Sequence, residues 1–325
     1  MIEPDLHDLP SRLAVRIPCP ELDAWRSGNT GVPGFWTFHA DRAGPHLVIL
    51  SLMHGNEIAG AAALVRLLAH GVRPRRGRLT LGFANLDAFD QFDARSPTSS
   101  RFLDEDMNRL WSAEILDGPR HSCELDRARQ IRPVVEAADV LLDLHSMLWD
   151  SEPMLLCGMT EASRRLALSL GVPALVIADR GHSGGPRLID YVPFARDGRP
   201  ALLVEAGQHW QSETIATALS TVGSLLVRLE MACACDLGGV LPEARPLAPQ
   251  RFARVTRTVT AEHADFAFVQ SYRGGEIVEK RNTLIALDGD SEIRTPHDRC
   301  LLVMPSLRPV PGHTAVRLAR FVEPN

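Results

Sequence analysis

The stretch HLVILSLMHGNEIAGAAALVRLLAH, residues 46–70, decides the fold. Its first part, His46 to Met53, is a short, uninterrupted apolar run containing β-branched residues. Runs of this kind are strands buried on both faces, as in parallel sheets. His54-Gly-Asn-Glu57 follows at once. Ile58 to His70 then reads as a helix, and Gly71 is a good helix stop.

The alternation repeats along the chain. Leu79 to Ala84 reads as a strand leading into Asn85. Asp139 to Leu144 is a strand ending at His145, Ala174 to Ala178 is another, and Ala201 to Val204 is a further one ending at Glu205. Helices are expected over Cys123 to Ala138 and from about Glu213 to Ala232, and a short strand at Phe35 to Phe38. The stretch from Asp87 to Met107 is polar, irregular and too long to be a mere connector. This pattern predicts an α/β fold, with a mostly parallel or mixed central sheet flanked by helices. After Pro242-Glu-Ala-Arg-Pro246 the character changes to short β-like pieces at 253–260, 266–269, 283–287 and 301–304. The expected division is a catalytic part, 1–244, and a small all-β part, 245–325.

The 325 residues are 45% hydrophobic and 23% charged, with a formal net charge of -5. That is an ordinary globular composition. It argues against a nucleic-acid binder with a broad basic surface, although a few local arginines can still hold a small anion. No apolar run approaches the roughly 18 residues of a membrane helix. The N-terminus is acidic and broken by proline, so it does not read as a signal peptide. The six cysteines are scattered, and the expectation is reduced thiols in a cytoplasmic protein, with Cys233 and Cys235 buried near a helix end. Self-association into a homo-oligomer stays open.

In open α/β sheets, ligands bind beyond the carboxyl ends of the strands. His54, Asn85, His145 and Glu205 each follow an apolar strand. Two His and a Glu are the composition of a catalytic metal site, and three protein ligands leave a fourth position for water. Spacing alone is weak evidence, since 12 His and 18 Glu give about 0.7 His-x-x-Glu pairs by chance. A second pair, His121-Ser-Cys-Glu124, reads as a surface i,i+3 contact. Between Arg101 and Arg109 stand two arginines and Asn108. Guanidinium forks suit carboxylates and developing oxyanions, while Asp104, Glu105 and Asp106 offer them local partners instead.

The ordered set His54-Gly-Asn-Glu57, Asn85, Arg101, Asp106-Met-Asn-Arg109, Asp143-Leu-His145-Ser and Val204-Glu-Ala-Gly207 resembles the succinylglutamate desuccinylase and aspartoacylase family, which is related to the zinc carboxypeptidases. The resemblance covers roughly 45–325. It implies one Zn2+ per chain on His54, Glu57 and His145. It makes Glu205 the general base and then acid, and Arg101 the stabiliser of the oxyanion. Asn108 and Arg109 would hold a substrate carboxylate, with Asn85 also on the substrate side. Asp179 follows a strand as Glu205 does, and the match at 204–207 is what favours Glu205. Asp143 is a candidate partner for a ligand histidine, and Asp106 competes for that role. The resemblance asks for a further arginine upstream of Glu205, which Arg187, Arg196 and Arg199 could each supply. It also allows an aromatic hydroxyl from the C-terminal part, for which Tyr272 is a guess. Gln208-His209 and the segment Ser146 to Pro153 depart from both named enzymes and put the acyl group in question. The expected activity is hydrolysis of a small anionic N-acyl amino acid, with no nucleic acid or membrane partner. A carboxypeptidase acting on peptides is the alternative, followed by a non-catalytic zinc-binding protein.

Overall fold

The run at 46–51 is a strand because both of its faces are covered. In a computed structural model of the chain, which describes residues 13–181, 184–195, 198–243 and 249–322, Leu47 and Ile49 enter one apolar cluster and Val48 and Leu50 another on the opposite side. Successive side chains of a strand point to opposite faces. An unbroken apolar run therefore needs a layer of helices on each side.

The elements are β1 (Phe35–His39), β2 (His46–Ser51), α1 (Ile58–Ala69), β3 (Arg78–Phe83), α2 (Leu86–Asp90), α3 (Ala113–Leu116), α4 (Cys123–Glu136), β4 (Val140–Met147), β5 (Met154–Leu156), α5 (Glu161–Ser169), β6 (Leu175–Ala178), α6 (Val192–Ala195), β7 (Ala201–Gln208) and α7 (Ser212–Arg228). The C-terminal segment adds β8 (Arg251–Thr260), β9 (Ala267–Phe268), β10 (Ile277–Val278), β11 (Leu284–Asp288), β12 (Ser291–Arg294), β13 (Cys300–Val303) and β14 (Thr314–Phe321). Eleven strands form one sheet in the order β1-β3-β2-β4-β7-β5-β6-β8-β14-β13-β10. The core strands β3, β2, β4 and β7 run parallel, whereas β5 is antiparallel to β7. Residues of α1 and α7 share one apolar cluster with Leu47 and Ile49, and residues of α4 share the other with Val48 and Leu50. The α/β fold with a mixed central sheet is as expected.

The small C-terminal all-β part is present but is not set apart. Strand β8 pairs in parallel with β6, from Leu175 opposite Arg251 to Ala178 opposite Arg254. Strands β14, β13 and β10 then continue the same sheet, while β9, β11 and β12 form a separate three-stranded antiparallel sheet. The expected boundary at 244/245 lies outside the described residues. Strands β4 and β7 also run past His145 and Glu205, because the two pair in parallel with those residues opposite each other. Cys233 and Cys235 correct the expectation of buried thiols: the tight turn starting at Ala234 brings their Cα atoms to 5.3 Å, and they are joined as a disulfide. Among the described residues, no helix is long and apolar enough to cross a membrane.

Candidate metal centre

At the end of β2 the chain turns sharply. Leu52 adopts φ 58°, a left-handed conformation that costs energy for a branched residue and marks a constrained site. Gly55 follows His54, and a Cβ there would come within 2.4 Å of the Ala88 backbone and 2.6 Å of Ser100 O. A glycine between His54 and Glu57 is thus required by the close approach of the 85–101 segment, and Gly55 N donates to Arg101 O at 3.1 Å.

This turn brings His54, Glu57 and His145 together, all buried, with their candidate ligand atoms within 4.8 Å of one another. Glu57 Oε1 lies 2.7 Å from His54 Nδ1, and Oε2 lies 3.2 Å from His145 Nδ1. The far nitrogens are held by carboxylates. His54 Nε2 donates to Asp106 Oδ1 at 2.8 Å, and His145 Nε2 donates to Asp143 Oδ2 at 2.8 Å. The two acids that competed for one role therefore serve one histidine each. An imidazole that donates from Nε2 keeps its Nδ1 lone pair, so both rings present a ligand atom towards Glu57. Ser146 N donates to Glu57 Oε2 at 2.8 Å and fixes the carboxylate. Two imidazoles and a carboxylate converging in this way fit a divalent metal ion.

Glu205 lines the same cleft, with Oε2 buried and lacking a protein hydrogen-bond partner. Burial pushes its carboxyl up to about 8, against the pull of His145 and with a further push from Glu57. A bound cation would draw it back down. Asp179, the other acid at a strand end, is in a different situation. Arg187 grips it with Nη1 at 3.0 Å and Nη2 at 2.6 Å, and Arg317 Nε lies 3.3 Å away. A carboxylate saturated in this way is a poor base, whereas Glu205 has no such partner at Oε2.

The loop carrying Arg101 and Asp106 is held from below by Glu124. This fully buried carboxylate accepts from Leu103 N at 2.7 Å, Asp104 N at 3.0 Å, Glu105 N at 3.2 Å and Asn85 Nδ2 at 3.1 Å. The expected surface contact of His121 with Glu124 is not formed, and His121 meets Asp126 instead. Burial acts to raise the Asp106 carboxyl, but His54, Arg101 and Arg109 drive it well below the usual range. Arg101 donates to Asp106 Oδ2 at 3.0 Å and lies 3.7 Å from Glu57, beside the candidate metal ligands. Asn108 and Arg109 line the cleft, and Asn108 Oδ1 accepts from Leu188 N at 2.9 Å.

Two expectations are corrected, and one that was open is narrowed. Asn85 is not in the cleft: its Oδ1 caps α2 at Ala88 N, and its Nδ2 goes to Glu124. Tyr272 packs edge-on against Phe268 in the C-terminal apolar cluster, away from the cleft lining. Of the three upstream arginines, Arg187 lines the cleft, Arg199 donates to Glu136 O elsewhere, and Arg196 lies outside the described residues. Sequence reasoning missed Arg317, which reaches the cleft from β14 and is 3% exposed. It also gave no role to His209. That residue lines the cleft with Nδ1 2.7 Å from Ser146 Oγ, and burial pushes its imidazole down to about 4, so it is neutral.

The cleft, about 250 Å³, has one wall segment formed by residues 147–151 and another by Met304, Pro305 and Ser306. The first wall is tied to the C-terminal segment. Glu152 N donates to Gly274 O at 2.8 Å, Gly274 N donates to Asp150 O at 3.2 Å, Arg273 pairs with Asp150 at 2.9 Å, and Arg251 pairs with Glu152.

Comparison with known proteins bears on the family and the fold. Residues 43–229 match the family model of the succinylglutamate desuccinylase/aspartoacylase catalytic domain. No curated protein matches the sequence at a significant level. Among solved structures, succinylglutamate desuccinylase from Vibrio parahaemolyticus is similar over 90% of this chain and 87% of its own, with a TM-score of 0.67 and 18% identity. The enzyme from Vibrio cholerae gives 89% and 85%, 0.66 and 19%. A product-bound ectoine utilization protein, EutE, from Ruegeria pomeroyi gives 89% and 88%, 0.61 and 17%. At these identities the structural likeness speaks for the fold. The family model spans more than half of the chain, and it contains His54, Glu57, Arg101, Asn108, Arg109, His145 and Glu205. The chain belongs to the succinylglutamate desuccinylase/aspartoacylase family.

Proposed function

We propose that this chain is a zinc-dependent amide hydrolase that removes the acyl group from a small anionic N-acyl amino acid. One observation carries the reading: two imidazoles, each held at Nε2 by its own carboxylate, turn Nδ1 towards Glu57 beside the unpartnered Glu205 Oε2. Of the divalent ions, zinc suits two imidazoles and a carboxylate best. Bound there, it supplies Lewis acidity, polarising the scissile carbonyl and lowering the pKa of a water to about 7.

The protein groups supply the rest. Glu205 takes a proton from the attacking water and delivers it to the amine nitrogen as the C–N bond breaks. Arg101 faces the carbonyl oxygen as negative charge develops on it. Asn108 has spent its Oδ1 on Leu188 N, so its Nδ2 donors serve, with Arg109, to hold the substrate carboxylate. The cleft, about 250 Å³, has room for an N-acyl amino acid.

The experiment is amine release from N-acetyl, N-succinyl and N-formyl derivatives of a panel of amino acids, with and without chelator. The expected result is hydrolysis of one class, abolished by chelator and restored by zinc. Cleavage of peptides and no turnover of the N-acyl panel would replace this reading with the carboxypeptidase one.

A further inference from the structure

Strand β7 carries Glu205 and ends at Gln208, with His209 and Trp210 directly after it. Gln208-His209 is one of the two places where the sequence departs from both named enzymes. The strand does not reach this point evenly. Glu205 stands opposite His145, and β7 then takes three steps to Gln208 while β4 takes two to Met147. One extra residue in one of two paired strands is a β-bulge, a device that re-aims side chains beside active sites. Gly207 permits it: its φ is 134°, and a Cβ there would come within 2.8 Å of Thr214 Oγ1.

Beyond the bulge, two consecutive residues grip the two turns that carry the candidate ligands. His209 N donates to Met147 O at 2.9 Å, and its Nδ1 lies 2.7 Å from Ser146 Oγ. Ser146 is the residue whose N–H fixes Glu57 Oε2 at 2.8 Å. Trp210 Nε1 donates to Asn56 O at 3.0 Å, the carbonyl of the peptide bond to Glu57. Trp210 is fully buried in the apolar cluster that contains residues of α1 and α7, so its indole has a fixed direction. Glu57 is thus braced twice, at its carboxylate through His209 and Ser146 and at its backbone through Trp210. The brace matters because the last torsion of a glutamate is broad. The hydrogen bond from Ser146 N selects the orientation that sets one oxygen towards each imidazole.

Resting on the metal-dependent reading above, we propose that His209 and Trp210 are positioning residues of the metal centre. By bracing Ser146 and Asn56 they hold Glu57 in its ligand orientation before zinc arrives.

The test is zinc affinity, read without turnover by competition with a chromophoric chelator. It compares wild type, His209→Ala, His209→Asn, Ser146→Ala, the double variant His209→Ala with Ser146→Ala, and Trp210→Phe. His209→Ala and Ser146→Ala should each lose about 10–100-fold in affinity. The double variant should lose no more than the worse single variant, because both changes break one chain of contacts. His209→Asn keeps a polar atom near the Nδ1 position and should recover most of the loss. Trp210→Phe keeps the packing and gives up one neutral hydrogen bond, for a loss of about 2–10-fold. Additive losses in the double variant would overturn the route through Ser146. A merely structural role would lower the urea midpoints of the metal-free variants and leave the zinc affinity of the folded protein unchanged, which would overturn the proposal while the metal reading stands. A wild type that binds no zinc would overturn both.

Discussion

Replacing Glu124 with glutamine probes how the Arg101–Asp106 loop is held. The carboxylate is fully buried, and each of its oxygens takes two donors: Oε1 from Leu103 N and Asn85 Nδ2, Oε2 from Asp104 N and Glu105 N. In either orientation, a glutamine amide keeps one oxygen with its two donors and turns an NH2 against the other two. Two charge-assisted hydrogen bonds are lost and two N–H groups face a donor. At about 1.5–3 kcal/mol per bond, reduced by relaxation of the loop, the expected cost is about 2–4 kcal/mol. Urea unfolding of wild type and variant measures it. The loop carries Arg101, proposed above to face the oxyanion, and the partner of His54, and a misplacement of about 1 Å in such groups costs about 100-fold. A fall of about 10–100-fold in kcat/KM should therefore accompany the stability loss. A variant within about 0.5 kcal/mol of wild type, with unchanged kcat/KM, would refute the view that Glu124 holds this loop.

Other perturbations separate the remaining roles. Asp106→Asn and Asp143→Asn should each weaken metal affinity by about 10–100-fold, read by competition with a chromophoric chelator; unchanged affinity in both would remove the carboxylates from metal binding. Asn85→Ala should cost about 0.5–2 kcal/mol as a lost helix cap while leaving KM unaltered, and a raised KM at undiminished stability would return Asn85 to the substrate side. Burial acts to raise the Asp179 carboxyl, but Arg187 and Arg317 outweigh it and hold it below its ordinary value. Its contribution to stability is therefore complete above the unfolded value of about 3.9 and is lost as pH falls through the lower folded value. Urea midpoints measured from pH 6 downward should fall more steeply below about pH 4 in wild type than in Asp179→Asn, and parallel curves would contradict the assignment.

The central part of the fold and the grouping of His54, Glu57 and His145 were legible because the strands and the turn that carry them rest on local pattern. The doubly covered strand at 46–51 has to be apolar throughout, and Gly55 has to be glycine, so the turn before Glu57 is written in adjacent residues. His145 and Glu205 were found as polar residues at strand ends, although their strands run on past them because the parallel register leaves the pair opposite one another. What escaped depends on contacts distant in sequence. Nothing local distinguishes Asn85 at a strand end from a substrate ligand, since its partner Glu124 is 39 residues away. Strand β14 went unread because Arg317 and Arg320 interrupt Thr314 to Phe321, yet Arg317 is buried there. The continuity of the sheet through β6 and β8 was hidden for a similar reason, as a parallel pairing across some 75 residues leaves no short-range signal.

The most direct test of the account measures zinc content and N-acyl amino acid hydrolysis on the same preparations of wild type, Glu205→Gln and His145→Ala. The account predicts about one zinc per chain in wild type and Glu205→Gln, little in His145→Ala, and turnover in wild type alone. Full turnover in Glu205→Gln, or undiminished zinc in His145→Ala, would contradict it.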